Sequence, residues 1–170
     1  MQFNVASMLK EHTGAMREYV IDDDVVVEGE RHRVSGRARF DRTPDGIFVR
    51  AQISGEQTAQ CSRCLKDVRY PVNIGFEEEY IPTIDVDGGG RVDAPEGVED
   101  AYRIDAHHML DLAEPIAQYW AMSVPIAPLC EDACRGLCPV CGEEIAGSEH
   151  RCTREQIDDR WAALKDLKLG

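Results

Sequence analysis

The sequence predicts an α+β protein: an antiparallel sheet packed with about three helices and extended by a small cysteine-rich lobe at its C-terminal end. Three observations carry that expectation. Apolar residues alternate at a period of two through much of residues 34–76, they recur at helical spacing in three other stretches, and most of the seven cysteines crowd into the last third of the chain.

In chain order, Asn4 is placed to cap a short helix from about Val5 to His12, with Met8 and Leu9 turned inward and Gly14 ending it. From Arg31 onward Val34, Ala38 and Phe40 alternate with polar residues. Thr43-Pro44-Asp45-Gly46 reads as a turn, and Ile47, Val49, Ala51 and Ile53 alternate beyond it, completing a β-hairpin with one buried face. A polar strand over about residues 57–60 leads to Cys61. Val68, Tyr70, Val72, Ile74 and Phe76 then form a further strand, which Pro71 assigns to a sheet edge. Residues 85–100 hold six acids, four glycines, one proline and one arginine, too little apolar surface for a packed element, and read as a mobile acidic loop. Residues 102–105 resume the sheet, and His107 and His108 read as a connection from strand to helix. Asp111 and Glu114 stand at capping-box spacing before a helix with apolar positions Leu112, Ile116, Ala117, Trp120 and Val124, which Pro125 and Pro128 stop. A third helix follows Thr153, with Ile157, Trp161 and Leu164 as its stripe. The expected organisation is an α+β body over residues 1–129, carrying the loop at about 85–100, and a lobe with the last helix over residues 130–170, packed together as one domain.

The 170 residues include 32 acids against 19 lysines and arginines, a formal net charge of −13. Nucleic-acid binding driven by overall charge is therefore excluded, because phosphate neutralisation needs cations, and a basic partner is favoured. The expected helices carry Asp111, Glu114, Glu155, Asp158 and Asp159 rather than a basic recognition surface, so no DNA is expected. No segment approaches the roughly 18 apolar residues of a membrane span, and the first twenty residues lack a signal-peptide core. The expected location is the cytoplasm, with no membrane partner.

In that reducing compartment an odd number of cysteines argues for metal ligation over disulfides. Cys61, Cys64, Cys130, Cys134, Cys138, Cys141 and Cys152, with His150, make eight candidate ligands, enough for two closed tetrahedral zinc sites. Cys61-Ser-Arg-Cys64 and Cys138-Pro-Val-Cys141 have the C-x2-C spacing at which a tight turn aims two thiolates at one ion. His150 and Cys152 lie close behind the second pair and close on it, which leaves Cys130 and Cys134 to meet Cys61 and Cys64. On this scheme the first ion staples the sheet to the end of the long helix and the second holds together a zinc-bound C-terminal lobe. Three alternatives stay open: a zinc ribbon of Cys61, Cys64, Cys138 and Cys141; one local site of Cys134, Cys138, Cys141 and Cys152; and unligated thiols. A zinc-dependent enzyme needs an open coordination position with a nearby base, and a thiol-redox enzyme needs its first cysteine at a helix N-terminus; neither pattern is present.

Two charged surfaces are candidate contacts. Arg31, Arg33, Arg37 and Arg39 fall on one face of a strand with Arg50 on its neighbour, a stripe that either meets RNA phosphates or pairs with nearby carboxylates. Glu77, Glu78, Glu79, Asp85 and Asp87 either hold a basic partner or are simply solvated.

The stretches "NVASMLKEHTGAMREY", "CSRCL", "PIAPLC", "CRGLCPVCG" and "DDRWAALKDL", in that order and nearly end to end, resemble the YceD-type large ribosomal RNA subunit accumulation proteins. The resemblance implies a non-enzymatic factor that supports accumulation of large-subunit (23S) rRNA and ribosome biogenesis, working on that rRNA or a pre-ribosomal particle directly or indirectly. It also implies ribosomal protein L32 as a candidate partner, because the two genes commonly adjoin. Some members lack "GLCPVCG" yet keep a C-x-R-C pair and two ligands matching Cys130 and Cys134, which implies that these four act as a unit. Many members end the extension in C-x-C, where this chain has His150-Arg151-Cys152.

Overall fold

Long strands with alternating apolar residues, more than helices, provide the surface that this chain buries. The computed structural model describes residues 1–93, 102–145 and 150. By internal contacts the chain forms two compact units, Met1–Thr58 with Arg69–Ile126, and Ala59–Val68 with Ala127–Gly170. The elements in chain order are β1 (Gln2–Asn4), α1 (Ala6–Leu9), β2 (Met16–Val27), β3 (Glu30–Arg42), β4 (Ile47–Gln60), β5 (Asp67–Pro82), β6 (Tyr102–Ile104), β7 (Met109–Asp111) and α2 (Ala113–Ser123).

The first unit is built on a five-stranded sheet in the order β2-β3-β4-β5-β6, with β1 and β7 forming a separate antiparallel pair. β2 and β3 run antiparallel without a bulge from Met16↔Asp41 to Val27↔Glu30, and β3 and β4 from Val34↔Gly55 to Arg42↔Ile47. Glu28 and Gly29 both take positive φ, +52° and +88°, which makes the β2–β3 connection a two-residue type I′ turn whose twist matches the strands. β6 joins β5 in parallel only at Tyr80, Ile81 and Pro82, so β5 is a sheet edge at Pro71. Because strand side chains alternate, one face gathers Ile21, Val25, Val34, Ala38, Phe40, Ile47, Val49, Ala51, Ile53, Val72, Ile74 and Phe76, all buried in a single cluster with Met8, Leu112, Ile116 and Trp120. Trp120 is fully buried; its indole Nε1 donates to Gln57 Oε1 at 2.8 Å and its ring lies 5.3 Å from that of His32. Gly55 makes room for it and for the neighbouring strand, since a Cβ there would stand 2.6 Å from Trp120 Cη2 and 2.7 Å from Arg33 O.

The expected antiparallel sheet with about three helices is corrected by this structure. Strand predominates, the sheet is mixed, and the described residues contain two short helices. The first, expected over residues 5–12, is a single turn of four residues: Asn4 Oδ1 does accept the Ala6 N–H at 3.2 Å, yet the turn ends at Lys10 after burying Met8 and Leu9. The third, expected after Thr153, lies outside the described residues. β2 answers to no expectation, because Asp22-Asp23-Asp24 interrupts the alternation of Tyr19, Ile21, Val25 and Val27 that would have marked it. His107 and His108 join β6 to β7, strand to strand, with His108 at φ +59°. Of the acidic loop, residues 85–93 make a turn in which Asp85 Oδ1 accepts the Asp87 N–H at 3.1 Å, and residues 94–100 lie outside the described residues.

Gly55→Ala is expected to destabilise the protein by about 1–3 kcal/mol, as overpacked cores do. In a Trp120→Leu background the same change should cost less by the share due to the indole, the approach to Arg33 O remaining. Urea denaturation of the four proteins in this cycle checks both statements.

Candidate functional site

The second unit is organised by two turns of identical construction. In the first, the Leu65 N–H donates to Cys61 O at 2.9 Å and the Cys61 N–H to Lys66 O at 2.8 Å. In the second, the Gly142 N–H donates to Cys138 O at 2.8 Å and the Cys138 N–H to Glu143 O at 2.7 Å. The residue after the second cysteine is left-handed in both, Leu65 at φ +62° and Gly142 at φ +75°. Glycine adopts that conformation freely, whereas leucine is strained in it. Such a turn points backbone N–H groups at the first sulfur: the Val140 N–H lies 3.4 Å from Cys138 Sγ. The thiol of Cys61 is pulled down to about 6, foremost by the Cys64 N–H, against the opposing effect of burial. Cys138 is likewise pulled down to about 6, by the N–H groups of Cys141 and then Val140. Both turns are thus shaped for thiolate rather than thiol.

Cys61, Cys64, Cys130 and Cys134 come together, their sulfurs all within 4.8 Å of one another. Four sulfurs held at about 2.3 Å from a central ion stand about 3.8 Å apart. Cys61 and Cys134 sulfurs are 3.8 Å apart and those of Cys64 and Cys130 3.6 Å apart, so the donor set fits a tetrahedral ion. The six described cysteines form no disulfide. Crowding opposes ionisation of the second pair: Cys130 is pushed up to about 12, foremost by its hydrogen bonds with the sulfurs of Cys134 and Cys64, and Cys134 is pushed up chiefly by burial. All four can ionise together only around a cation. Arg63, inside the first turn, fastens the partner segment by donating to Cys134 O at 2.7 Å, while its own carbonyl accepts the Leu137 N–H at 3.1 Å. Sequence reading passed over this residue, although the C-x-R-C form of the motif displays it.

Cys138, Cys141 and His150 form a separate group, with Cys141 Sγ 3.5 Å from His150 Nε2. Cys152, the fourth ligand expected there, lies outside the described residues. Both groups can hold a metal ion.

The charged surfaces of the first unit are largely satisfied from within. Arg33 pairs with Asp22 at 2.7 Å and Asp24 at 3.6 Å, Arg39 with Asp41 at 2.7 Å, and Arg50 with Glu77 at 3.3 Å and Asp41 at 3.6 Å. Arg31 and Arg37 are exposed and have no ion pair among the described residues. On the acidic side, Glu78 accepts from the Tyr119 hydroxyl at 2.7 Å, Glu79 from the Thr43 hydroxyl at 3.1 Å, and Asp87 stands 3.9 Å from Lys10. No described helix is long and apolar enough to cross a membrane.

A family model described as large ribosomal RNA subunit accumulation protein YceD matches residues 49–168. The chain is 32% identical over 136 residues to an uncharacterized protein of Mycobacterium tuberculosis, Rv2926c, covering 76% of this chain and 59% of that protein. It is 28% identical over 138 residues to the uncharacterized protein YlbN of Bacillus subtilis, covering 79% of this chain and 73% of that one. An uncharacterized protein of Mycobacterium leprae, ML1660, is 26% identical over 132 residues, with 76% of this chain and 56% of that protein covered. The chain thus spans little more than half the length of its mycobacterial relatives. No solved structure matches it.

Native mass spectrometry of the purified protein is expected to show bound metal. Cys61→Ser and Cys141→Ser should each lose a different ion and keep the other. One ion lost in both variants would instead unite the two turns in a single site.

Proposed function

The chain belongs to the YceD family of large ribosomal RNA subunit accumulation proteins, and we propose that it serves there as a non-enzymatic, zinc-stapled factor that holds a basic protein of the large subunit. Accumulation of 23S rRNA then follows indirectly, because the basic protein is kept available for assembly. The observation that carries this reading is electrostatic. The arginines that would meet RNA are mostly engaged by Asp22, Asp24, Asp41 and Glu77, while the chain as a whole keeps a formal charge of −13. Long-range attraction therefore favours a cationic partner over a polyanion.

Zinc is the metal best suited to an all-thiolate tetrahedron and to a thiolate and imidazole set. We assign one ion to Cys61, Cys64, Cys130 and Cys134, and a second to Cys138, Cys141 and His150 with Cys152. Four protein ligands leave no open position for substrate, which supports a structural role over hydrolysis or thiol chemistry. What the ions supply is folding free energy for the unit that binds them. Ribosomal protein L32 is the first basic partner to try, on the gene neighbourhood that the family resemblance implies. Direct contact with large-subunit rRNA is the second reading, favoured by Arg31 and Arg37, which have no ion pair among the described residues.

In cells lacking the protein, 23S rRNA is expected to fall relative to 16S rRNA. The wild-type chain should restore it, and a Cys61→Ser, Cys64→Ser double variant should not. Tagged protein is expected to retain L32 at low salt and release it as salt rises. Retention of no basic ribosomal protein, with tight binding of 23S fragments lost in an Arg31→Ala, Arg37→Ala variant, would replace this reading by the second.

A further inference from the structure

We propose that the free edge of β2 is a docking site for an extended, basic segment of a partner protein, which adds to the sheet as a further strand. The inference rests on the reading of a basic partner and names where that partner binds.

β2 is the first strand of the sheet, so one of its two sides has no strand neighbour among the described residues, and α2 packs against β2. Which backbone groups face that side follows from the register. Arg42 donates its N–H to Ala15 O at 2.8 Å, and pairing continues unbroken to Val27↔Glu30, so odd-numbered residues of β2 bond to β3. The N–H and C=O groups of Glu18, Val20, Asp22, Asp24 and Val26 consequently point away from the sheet. One of these donors has found a substitute partner: the Asp24 N–H donates to Asp23 Oδ1 at 2.8 Å, a side chain standing where a strand carbonyl would.

Long free edges are ordinarily blunted by lysine, proline, a bulge or an early end. β2 has no lysine, proline or bulge over its 12 residues; the charges that guard it are acidic, with Asp23 at an inward position, so they repel a like edge and leave this one open to a cationic strand. Its solvent face carries exposed apolar side chains, with Val20 79% exposed and Val26 58%, flanking the run Asp22-Asp23-Asp24. Edge-to-edge pairing of two copies would set these acidic runs side by side, which like charges oppose. A strand that alternates basic and apolar residues fits this edge: its backbone takes the open N–H and C=O groups, its cations on the solvent face meet Asp22 and Asp24, and its apolar side chains fall on the opposite face, that of Ile21 and Val25. Arg33, which pairs with Asp22 and Asp24 on the exposed face, is the cation already held there and would be displaced or shared.

The test is hydrogen exchange of the full-length, metal-loaded protein with a peptide of about ten residues alternating lysine and valine, against its glutamate and valine counterpart. The outward amides of Glu18, Val20, Asp22 and Val26 should exchange freely in the protein alone. The lysine peptide should slow them about tenfold or more, and the glutamate peptide should not. Val20→Pro removes one outward N–H and no bond to β3, so it should abolish the slowing while the inward amides of Ile21 and Val25 stay protected. A second variant, Asp22→Asn, Asp23→Asn, Asp24→Asn, should keep the fold and weaken the peptide at low salt. Several results would overturn the proposal: outward amides protected without peptide, whether independently of protein concentration (a segment of this chain) or rising with it (a second copy); no slowing on β2 by the lysine peptide; or protection of the same amides by a 23S rRNA fragment. If Val20→Pro retains L32 as well as wild type does, the docking site is wrong and the basic partner stands. If wild type retains no basic ribosomal protein, the functional reading fails on its own account.

Discussion

Four sulfurs within 4.8 Å of one another cannot all carry charge unless a cation sits among them, and the second unit depends on how that conflict is resolved. The chain invests in the ionised form: N–H groups of two tight turns lower the thiols of Cys61 and Cys138. It also resists that form, since packing raises Cys130 and Cys134. Such a balance suits a site whose ligands are neutralised by metal and is costly for one that is not. Among the described residues, the apolar cluster of this unit consists of Cys61, Cys64 and Cys134 with Val68, Leu129 and Leu137 packed against them, so the candidate ligands are themselves part of its core.

The first unit is stabilised differently. Its sheet buries one continuous apolar face, and α2 adds Trp120 in a space that Gly55 leaves open. Its outer face arranges arginines and carboxylates as mutual partners, Asp41 serving both Arg39 and Arg50. Exposed pairs of this kind contribute little to stability, a few tenths to about 1 kcal/mol each. Their larger effect is to remove positive potential from the surface and leave the net acidity to determine what approaches.

Much of this was legible in the residues. The alternation of Val34, Ala38 and Phe40, of Ile47 to Ile53, and of Val72, Ile74 and Phe76 marks strands because burial on one face imposes a period of two. The sequence spacing of the cysteines also suggested which thiols would meet. β2 escaped because Asp23 holds an inward position yet is exposed, so a side chain that should have been apolar was free to be acidic. The first helix was overread because capping signals at Asn4 specify a start and say nothing of how many turns follow. Least legible was Leu65: no propensity rule places a leucine at φ +62°, and only the hydrogen bonds shared with the turn at Cys138 explain why it is there.

The first metal group joins residues 73 positions apart, Cys61 to Cys134, and a ribosome makes them in order. At roughly 5–20 residues per second, the Cys61 and Cys64 turn is synthesised several seconds before its partners exist. During that interval it offers two ligands where a stable site needs four. Meanwhile Arg69–Ile126, the remainder of the first unit, is synthesised in full. A metal ion in this group would therefore be held only late in the life of the nascent chain, and a translation product cut short before residue 130 would carry Cys61 and Cys64 without Cys130 and Cys134.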